Sequence, residues 1–341
     1  MEARTRIVLS AAGVVLTLVS YATVAIPVAW PSPHALAALP APPYPRFAGQ
    51  TFEPSAAAFD PATGRVLVLS DKDATLYRYE RNAGHLTLPA GERHSPLRLP
   101  AGLEIAKLEG LTRLPSGVFL AVTAFDRPDP SYRRLVRFRY TPGQPSEAQP
   151  VPLDDGALAS AIRTASGLPW YKIEGLAVDR TGTQLFFGVR NVGWSWAAAR
   201  NVVLLLRCPL DGERVGAPEA VIRLSTTEAL GGLAEGLSDL QLDADGESFL
   251  LLTSHEGSPA DLREAHSGHL FQVPAAVLLG APSHAPVALG APLRGFRAKP
   301  EGLAVEPSGA LVVVFDDDRD FKHLFAGYEQ SDGLFTVIEP H

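Results

Sequence analysis

A short motif, Glu-Gly-Leu, recurs along this chain inside longer segments that resemble one another. The glutamates of the four clear copies are separated by 65, 61 and 66 residues, and they are Glu109, Glu174, Glu235 and Glu301. A fifth, degenerate copy begins at Glu53. Repeats at a nearly constant spacing predict stacked or radial structural units, so this feature constrains the fold more than any other.

Each copy has the pattern of a β-hairpin followed by further strands. A short apolar strand precedes a turn rich in Gly, Pro, Ser or Asp, and a β-branched or aromatic strand follows the turn. Two more strand-like segments complete the unit, for example NVVLLLRC with EAVIRL in the copy that contains Glu174, and GHLFQV with PVALG in the copy that contains Glu235. Four antiparallel strands in a repeat of about 60 residues are typical of a propeller blade.

The sequence therefore predicts an all-β protein, a β-propeller of five four-stranded blades. The last copy shows only three evident strands, so we expect the segment near residues 47–52 to supply an outer strand and close the ring. A sixth blade in the longer connections at about 144–171 or 276–298 is a second interpretation. Two β-sandwiches are a third.

The first 30 residues have the pattern of an export signal. Arg4 and Arg6 precede an uncharged, apolar stretch from Ile7 to Trp30. Its length lies between that of a cleaved signal and that of a spanning helix, so a signal peptide and an N-terminal membrane anchor are both open. Residues 31–46 are rich in Pro and Ala and predict a linker, which leaves residues 47–341 as one propeller domain. We expect a periplasmic or extracellular protein.

Composition narrows the choice of partners. The formal net charge is −7, and acids and bases are interspersed without a basic stripe, so nucleic acid is not an expected partner. The single cysteine, Cys208, lies in an apolar strand segment and cannot form an intramolecular disulfide. We interpret it as a small buried core residue, and we expect the protein to be a monomer.

The hairpin geometry predicts where polar residues gather. In an antiparallel hairpin the first strand begins beside the end of the second, so each repeat brings two positions to one face of the ring, which we call the rim. The first position is the repeated glutamate, and a lysine stands two residues before it in three copies (Lys107, Lys172 and Lys299). The second position varies between blades and comprises Asp71, Asp126, Arg190, Asn191, His255, Glu256, Asp316, Asp317 and Asp318.

The repeated glutamates have two interpretations. They are candidate ligand-binding residues at the rim; alternatively, each one caps backbone amides of the next blade or pairs with the adjacent lysine. A catalytic residue is needed once, whereas a contact between blades is needed at every seam. The variable positions are therefore the better functional candidates, and Asp126, His255 and Glu256 are the candidate catalytic residues, because imidazole and carboxyl groups transfer protons.

Acidic residues at the variable position suggest a cation. Asp71, Asp316, Asp317 and Asp318 are candidate metal ligands, because converging carboxylate oxygens suit a hard cation such as Ca²⁺. The chain lacks the spaced D-x-D-x-D-G loop of a strong calcium motif, and a solvated acidic loop is the alternative.

Two tryptophans add an aromatic element. Trp194 and Trp196 follow the second strand of the third unit, so we expect them at the same rim as Arg190 and Asn191. Together these four side chains are candidates for binding a ring, a sugar or an anionic organic ligand. Covering an exposed hydrophobic seam is the alternative role of the tryptophans.

The pattern K-[LIP]-E-G-L-[AT]-V, followed by a glycine turn and a strand ending in Asp or Asn, resembles the phytase-like (esterase-like) propeller family of exported bacterial proteins. It is also similar to neighbouring uncharacterised propeller families with the same motif. The resemblance covers the chain from about residue 50 to its end, and the repeated glutamates with Asp71, Asp126 and Asp316 match by motif position.

The resemblance implies a secreted phosphoester or carboxyl ester hydrolase in which acidic residues around the channel hold Ca²⁺. The chain departs from this pattern in having few basic residues beside the acids and five blades. The alternative function is a non-catalytic propeller that binds a small molecule, a glycan or a cell-envelope protein at the rim.

Overall fold

The computed structural model describes residues 53–72, 74–82, 85–87, 95–212, 214–255, 267–281, 284, 286–296, 298–316 and 334–340. The predicted signal or anchor, the linker and the predicted closing strand at residues 47–52 lie outside these ranges. Within them the protein is all-β, with five sheets and few helices. No helix in these ranges has the length and apolar character needed to cross a membrane.

Each sheet is one blade, and the blades follow one another along the chain. Blade 1 contains β1 (Pro54–Asp60), β2 (Arg65–Ser70), β3 (Thr75–Asn82), β4 (His85–Thr87) and β5 (Ser95–Pro96). Blade 2 contains β6 (Leu108–Arg113), β7 (Phe119–Thr123), β8 (Leu135–Phe138) and β9 (Gln149–Pro150). Blade 3 contains β10 (Trp170–Val178), β11 (Gln184–Gly193), β12 (Ala199–Pro209) and β13 (Ala220–Ser225).

The last two blades and the helices complete the described fold. Blade 4 contains β14 (Gly236–Leu242), β15 (Ser248–His255), β16 (Ser267–Pro274) and β18 (Arg294–Phe296). Blade 5 is described with β19 (Lys299–Val305), β20 (Leu311–Asp316) and β21 (Leu334–Ile338). The α-helices are α1 (Asp155–Ser166) and α2 (Ala275–Gly280), and short 3₁₀ turns lie at Pro130–Tyr132 and Trp196–Ala198. The predicted five-bladed β-propeller is therefore confirmed.

The outer strand of blade 4 differs from the prediction. The segment PVALG was expected there, but its strand β17 (Pro286–Ala288) pairs in parallel with β13 at the edge of blade 3. The outer strand of blade 4 is instead β18, which pairs with β16. The two connections considered for a sixth blade contain β9, α1, α2, β17 and β18, and their described residues form no sixth blade.

The core lies between neighbouring blades. Five clusters of buried apolar side chains each join two adjacent blades, and each blade contributes to the two clusters that flank it. Phe186 of blade 3 and Phe249 of blade 4 illustrate one seam, with ring centroids 4.8 Å apart. Such aromatic pairs stabilise a fold by about 0.5–1.5 kcal/mol beyond the burial of their area. The ring is closed in the same way, because Val68 of blade 1 shares a cluster with Val312 and Phe335 of blade 5.

The inner strands approach one another closely at the axis. A Cβ added to Gly302 of β19 would lie 2.7 Å from the backbone of Ala56 and Ala57 in β1. Because no side chain fits in this space, glycine permits the backbone contact that joins the last blade to the first. The glycine that follows the repeated glutamate thus allows close packing of the two inner strands at this seam.

Candidate functional site

A β-bulge near the start of four inner strands sets the direction of one side chain. The register shifts across Glu109 in β6, Glu174 in β10, Ser238 in β14 and Glu301 in β19. Each of these residues stands four positions before the last paired residue of its strand, so the four are structurally equivalent. They are separated by 65, 64 and 63 residues, which is more regular than the spacing of the Glu-Gly-Leu motifs. Glu235 therefore lies three residues outside the equivalent position, which Ser238 occupies.

The three bulge glutamates are buried and paired with lysines. Nζ of Lys107 lies 3.4 Å from Oε1 of Glu109, and Nζ of Lys299 lies 2.7 Å from Oε1 of Glu301. Lys172 contacts Glu174 of its own strand and lies 3.0 Å from Oε1 of Glu109 in the preceding blade. The lysine two residues before each glutamate thus provides its counterion, and Lys172 also joins two blades.

Arg190 connects three blades near the axis. Its side chain is 0% exposed, and its guanidinium pairs with Glu174, which is 1% exposed. The same guanidinium donates a hydrogen bond to Oγ of Ser238 in blade 4 at 3.0 Å and lies 3.7 Å from Oε1 of Glu301 in blade 5. Arg190 therefore acts as a central link between blades, and it is not presented to solvent.

The balance of charge in this axial cluster determines the protonation of its members. Four cations (Lys107, Lys172, Arg190 and Lys299) face five carboxylates (Glu109, Asp126, Glu174, Glu301 and Asp316). Burial raises the pKa of Glu174, but Arg190, Lys172 and Lys299 outweigh burial and hold that pKa below its ordinary value. At Glu301 the effect of burial exceeds that of the nearby cations, and the pKa rises to about 8. Burial and the nearby Glu174 therefore favour the protonated form of Glu301 near neutral pH, and burial also raises the pKa of Glu109.

The candidate metal ligands are occupied by lysines. Oδ2 of Asp71 lies 3.2 Å from Nζ of Lys72, and Oδ2 of Asp316 lies 3.6 Å from Nζ of Lys299. The candidate catalytic residue Asp126 has the same arrangement, 3.5 Å from Nζ of Lys107. Among the residues that the structure describes, no three His, Cys, Asp or Glu side chains converge to hold a metal ion. The remaining candidates Asp317, Asp318 and Glu256 lie outside the described residues, so the calcium site stays a prediction.

Glu235 belongs to a separate group on blade 4. Its two carboxylate oxygens contact Nδ1 of His269 at 2.9 Å and the hydroxyl of Thr253 at 2.5 Å. The candidate His255 is not part of this group; its Nδ1 lies 3.4 Å from the carbonyl oxygen of Ala234. The pairing of Glu235 with His269 joins residues 34 positions apart, and only the alignment of β15 with β16 places His269 opposite Thr253.

Trp194 and Trp196 lie away from the axial cluster. Strands β10, β11 and β12 extend beyond Glu174 as a three-stranded ribbon. Its last pairs are Trp170 with Gly193 and Gly193 with Ala199. The two tryptophans stand at the end of this three-stranded ribbon and are 73% and 68% exposed.

Asn191 contributes to the base of the same ribbon. Its side-chain amide donates a hydrogen bond to Oδ1 of Asn201 at 2.9 Å, and Asn201 donates to the carbonyl oxygen of Ala234 at 3.2 Å. The predicted ligand-binding residues of blade 3 are therefore divided, with Glu174 and Arg190 in the interior, Asn191 in the support of the ribbon, and the tryptophans in solvent.

A cleft on the outer strands of blade 3 presents polar groups without partners. It has a volume of about 310 Å³, and its walls include Arg200, Arg223, Val202, Leu204 and the last turn of α1. Leu204 pairs with Arg223 across β12 and β13, and residues opposite each other share one face of a sheet. Arg200 lies beyond a register shift between Leu204 and Asn201, and it lines the same cleft as Arg223. Within the described part of the chain neither arginine has an ion pair or hydrogen bond.

Sequence reasoning missed Arg223 as a site residue. The alternation of apolar and polar residues in AVIRLS places Arg223 on a face of β13, but that face is common to any partly exposed strand. The cleft depends on α1, which packs over blade 3 through Ile162 and Ala165. No local signal in the sequence predicts that contact.

Comparisons with known proteins assign this chain to no family. No protein-family model matches the chain, and no curated protein matches it. The chain is similar in structure to a luciferin-regenerating enzyme at 8% identity, with 86% of this chain and 93% of that chain covered and a TM-score of 0.44. It is also similar to a calcium-binding protein, regucalcin, from Agrobacterium tumefaciens at 14% identity, with 85% and 92% covered and a TM-score of 0.43.

A further similar structure is a carbohydrate-active enzyme of family AA12 from Trichoderma reesei. It is 11% identical, with 87% of this chain and 95% of that chain covered and a TM-score of 0.43. At these values the fold assignment rests on the strand pairings described above, and the resemblance to the phytase-like family stays a prediction.

Proposed function

We propose that this protein is an exported, ligand-binding β-propeller whose site is the cleft between α1 and the outer strands of blade 3. The observation that carries the proposal is the pair of unpartnered arginines, Arg200 and Arg223, in one cleft. The carboxylates of the axial cluster are paired with cations, whereas the two arginines of the cleft have no counterion among the described residues.

The shape of the cleft selects the chemistry of the ligand. Arg200 lies four residues along β12 from the level of Arg223, and because these span three residues of β11, the separation is roughly 10 Å at the rise of a β-strand. Val192, Val202 and Leu204 line the space between the two arginines, and the exposed hydroxyl residues Ser225 and Thr227 stand beside them. Guanidinium groups bind carboxylates and phosphates with two parallel hydrogen bonds. The ligand is therefore an elongated organic anion with an acidic group at each end and an apolar middle.

Calorimetric titration with linear dicarboxylates of increasing chain length tests this function. We expect affinity to rise to an optimum length at which both arginines are engaged, with monocarboxylates of the same length binding more weakly. Arg200→Gln and Arg223→Gln should each weaken binding by about 10-fold to 100-fold, the range expected for a lost charged hydrogen bond. Arg294→Gln, which removes an exposed arginine of blade 4, is the matched control. Binding that is independent of length and unchanged in both variants would show that the cleft is not the site.

A second candidate function is the ester or phosphoester hydrolysis that the family resemblance implies. The observation that favours it is the contact between Glu235, which lines the cleft, and His269. A carboxylate that orients an imidazole is a common arrangement for general acid and base catalysis. Aryl phosphates and aryl esters assayed with and without added Ca²⁺ test it. Rates that are equal for the native protein and Glu235→Gln would exclude this role.

A further inference from the structure

The end of the blade 3 ribbon is built differently from the other described parts of the rim. Strand β10 begins four residues before Glu174, whereas β6 begins one residue before Glu109. The ribbon therefore extends about three residues further, or roughly 10 Å, at the rise of a β-strand. The 3₁₀ turn at Trp196–Ala198 connects β11 to β12 at its end.

Hydrogen bonds at the base of the ribbon attach it to the neighbouring blades. Nε1 of Trp170 donates a hydrogen bond to the carbonyl oxygen of Asp126 in blade 2 at 2.9 Å. On the other side, the chain of amides from Asn191 through Asn201 reaches the carbonyl oxygen of Ala234 near blade 4. The end of the ribbon is thus presented on a support that is attached to both neighbouring blades.

The composition of this end is unusual for a protein of net charge −7. All seven residues from Trp194 to Arg200 are exposed, and their sequence is WSWAAAR. The segment has two large aromatic side chains, three alanines and one arginine, and it contains no acidic residue. Trp194 and Trp196 are the most exposed large hydrophobic residues that the structure describes.

This combination matches the chemistry of a lipid surface. Tryptophan is enriched where membranes meet water, because its ring is apolar and its indole N–H remains a hydrogen-bond donor. A nearby arginine is attracted to anionic headgroups, and the absence of acids removes the opposing repulsion. We propose that the segment Trp194–Arg200 is a membrane-contacting tip that inserts its tryptophans into the interface of a bilayer containing anionic lipid.

The tryptophans separate this proposal from the ligand cleft. Arg200 belongs to both surfaces, but Trp194 and Trp196 do not line the cleft, so their replacement should leave dicarboxylate binding unchanged. The proposal also differs from anchoring by the predicted N-terminal segment, because it specifies which face of the propeller meets the lipid.

A site-specific fluorophore on the full chain tests the orientation. Ala197→Cys places a bimane label between Trp196 and Arg200 in the sequence. Leu293→Cys places the same label at an exposed hydrophobic position of blade 4. The native Cys208 is 0% exposed, and burial raises the pKa of its thiol to about 12, so it stays unlabelled. Vesicles of phosphatidylglycerol with phosphatidylethanolamine should shift the emission at position 197 to shorter wavelength and leave position 293 unchanged. Absence of the shift at 197, or equal shifts at both positions, overturns the proposal.

Two further variants test the residues in the Ala197→Cys background. Trp194→Ser with Trp196→Ser should weaken vesicle binding by about tenfold or more, because binding scales with the apolar area inserted. Arg200→Gln should reduce the preference for phosphatidylglycerol over phosphatidylcholine. Retained affinity in the double serine variant, or a shift produced by soluble envelope protein or glycan and not by vesicles, overturns the assignment to a lipid surface.

Discussion

Nζ of Lys172 lies 3.0 Å from Oε1 of Glu109, across the boundary between blades 2 and 3. Lys172 also contacts Glu174, and these two glutamates raise its pKa well above the ordinary value although burial acts in the opposite direction. One ammonium group therefore balances two buried carboxylates from adjacent blades. The repeated lysine and glutamate serve to join the ring at its axis, which supports the structural interpretation of the repeat.

Arg190→Met should destabilise the protein strongly. The substitution leaves the buried carboxylate of Glu174 without its guanidinium partner and removes the link to Ser238. Breaking a buried ion pair by removing one partner costs about 3–5 kcal/mol, which urea unfolding followed by circular dichroism measures. Arg180→Met is the control, since Arg180 and Glu247 form an ion pair that is 69% and 74% exposed. We expect little change there, and equal losses in both variants would contradict the role of Arg190.

Stability should fall as pH rises from 6 to 9, and Glu301 should cause part of the loss. The pKa of Glu301 is about 8 in the folded protein and has an ordinary value of 4.5. Between these values the folded state binds more protons than the unfolded state, so its stability decreases with increasing pH. The contribution is fully present below about pH 4.5 and is lost as pH passes 8.

The variant Glu301→Gln isolates this effect. It cannot release a proton, so its melting temperature should change less between pH 6 and pH 9 than that of the native protein. Glu339→Gln, which alters a 61% exposed carboxylate, should retain the native slope. Identical slopes for the native protein and Glu301→Gln would show that Glu301 is not the titrating group.

Gly302→Ala should weaken the closure of the ring. The added Cβ would lie 2.7 Å from the backbone of Ala56 and Ala57, which cannot move aside as a flexible side chain can. Overpacking of this kind costs about 1–3 kcal/mol, and thermal unfolding measures the loss. Gly290→Ala is the matched control, because no atom lies within 4 Å of the position of its Cβ. If Gly302→Ala were as stable as Gly290→Ala, the backbone between β19 and β1 would have to move apart to accommodate the added Cβ without loss of stability.

Asp239→Ala should loosen the contact between blades 4 and 5. Asp239 is buried, and its carboxyl oxygens accept hydrogen bonds from the backbone N–H groups of Leu303 and Leu240, both at 2.7 Å. Each buried N–H left without an acceptor costs about 1–3 kcal/mol. Hydrogen exchange measured by mass spectrometry should accelerate in the peptide that contains Leu303.

Asp239→Asn provides a graded comparison, since the amide keeps one acceptor oxygen and replaces the other with a donor. Exchange in this variant should lie between that of the native protein and that of Asp239→Ala. Unchanged exchange at Leu303 in both variants would mean that the seam is held by apolar packing alone.

The sequence predicted part of the site correctly for a physical reason. Hairpin geometry predicts that the start of the first strand meets the end of the second, and Lys107 does lie beside Asp126 as Lys299 lies beside Asp316. It did not predict that these groups would neutralise one another. Which charged side chains form ion pairs depends on their directions and distances in space, and spacing along the sequence does not determine either.

The Glu-Gly-Leu repeat and its turns determined the architecture, because a regular spacing and a strand period of two are local properties of the chain. Tertiary structure decided what those residues do. The bulge in β14 places Ser238, and not Glu235, at the position of Glu109 and Glu174, since one extra residue in a strand redirects the side chains on either side of it. The cleft of Arg200 and Arg223 likewise exists only because α1 packs over blade 3, a contact between segments whose partners no local pattern specifies.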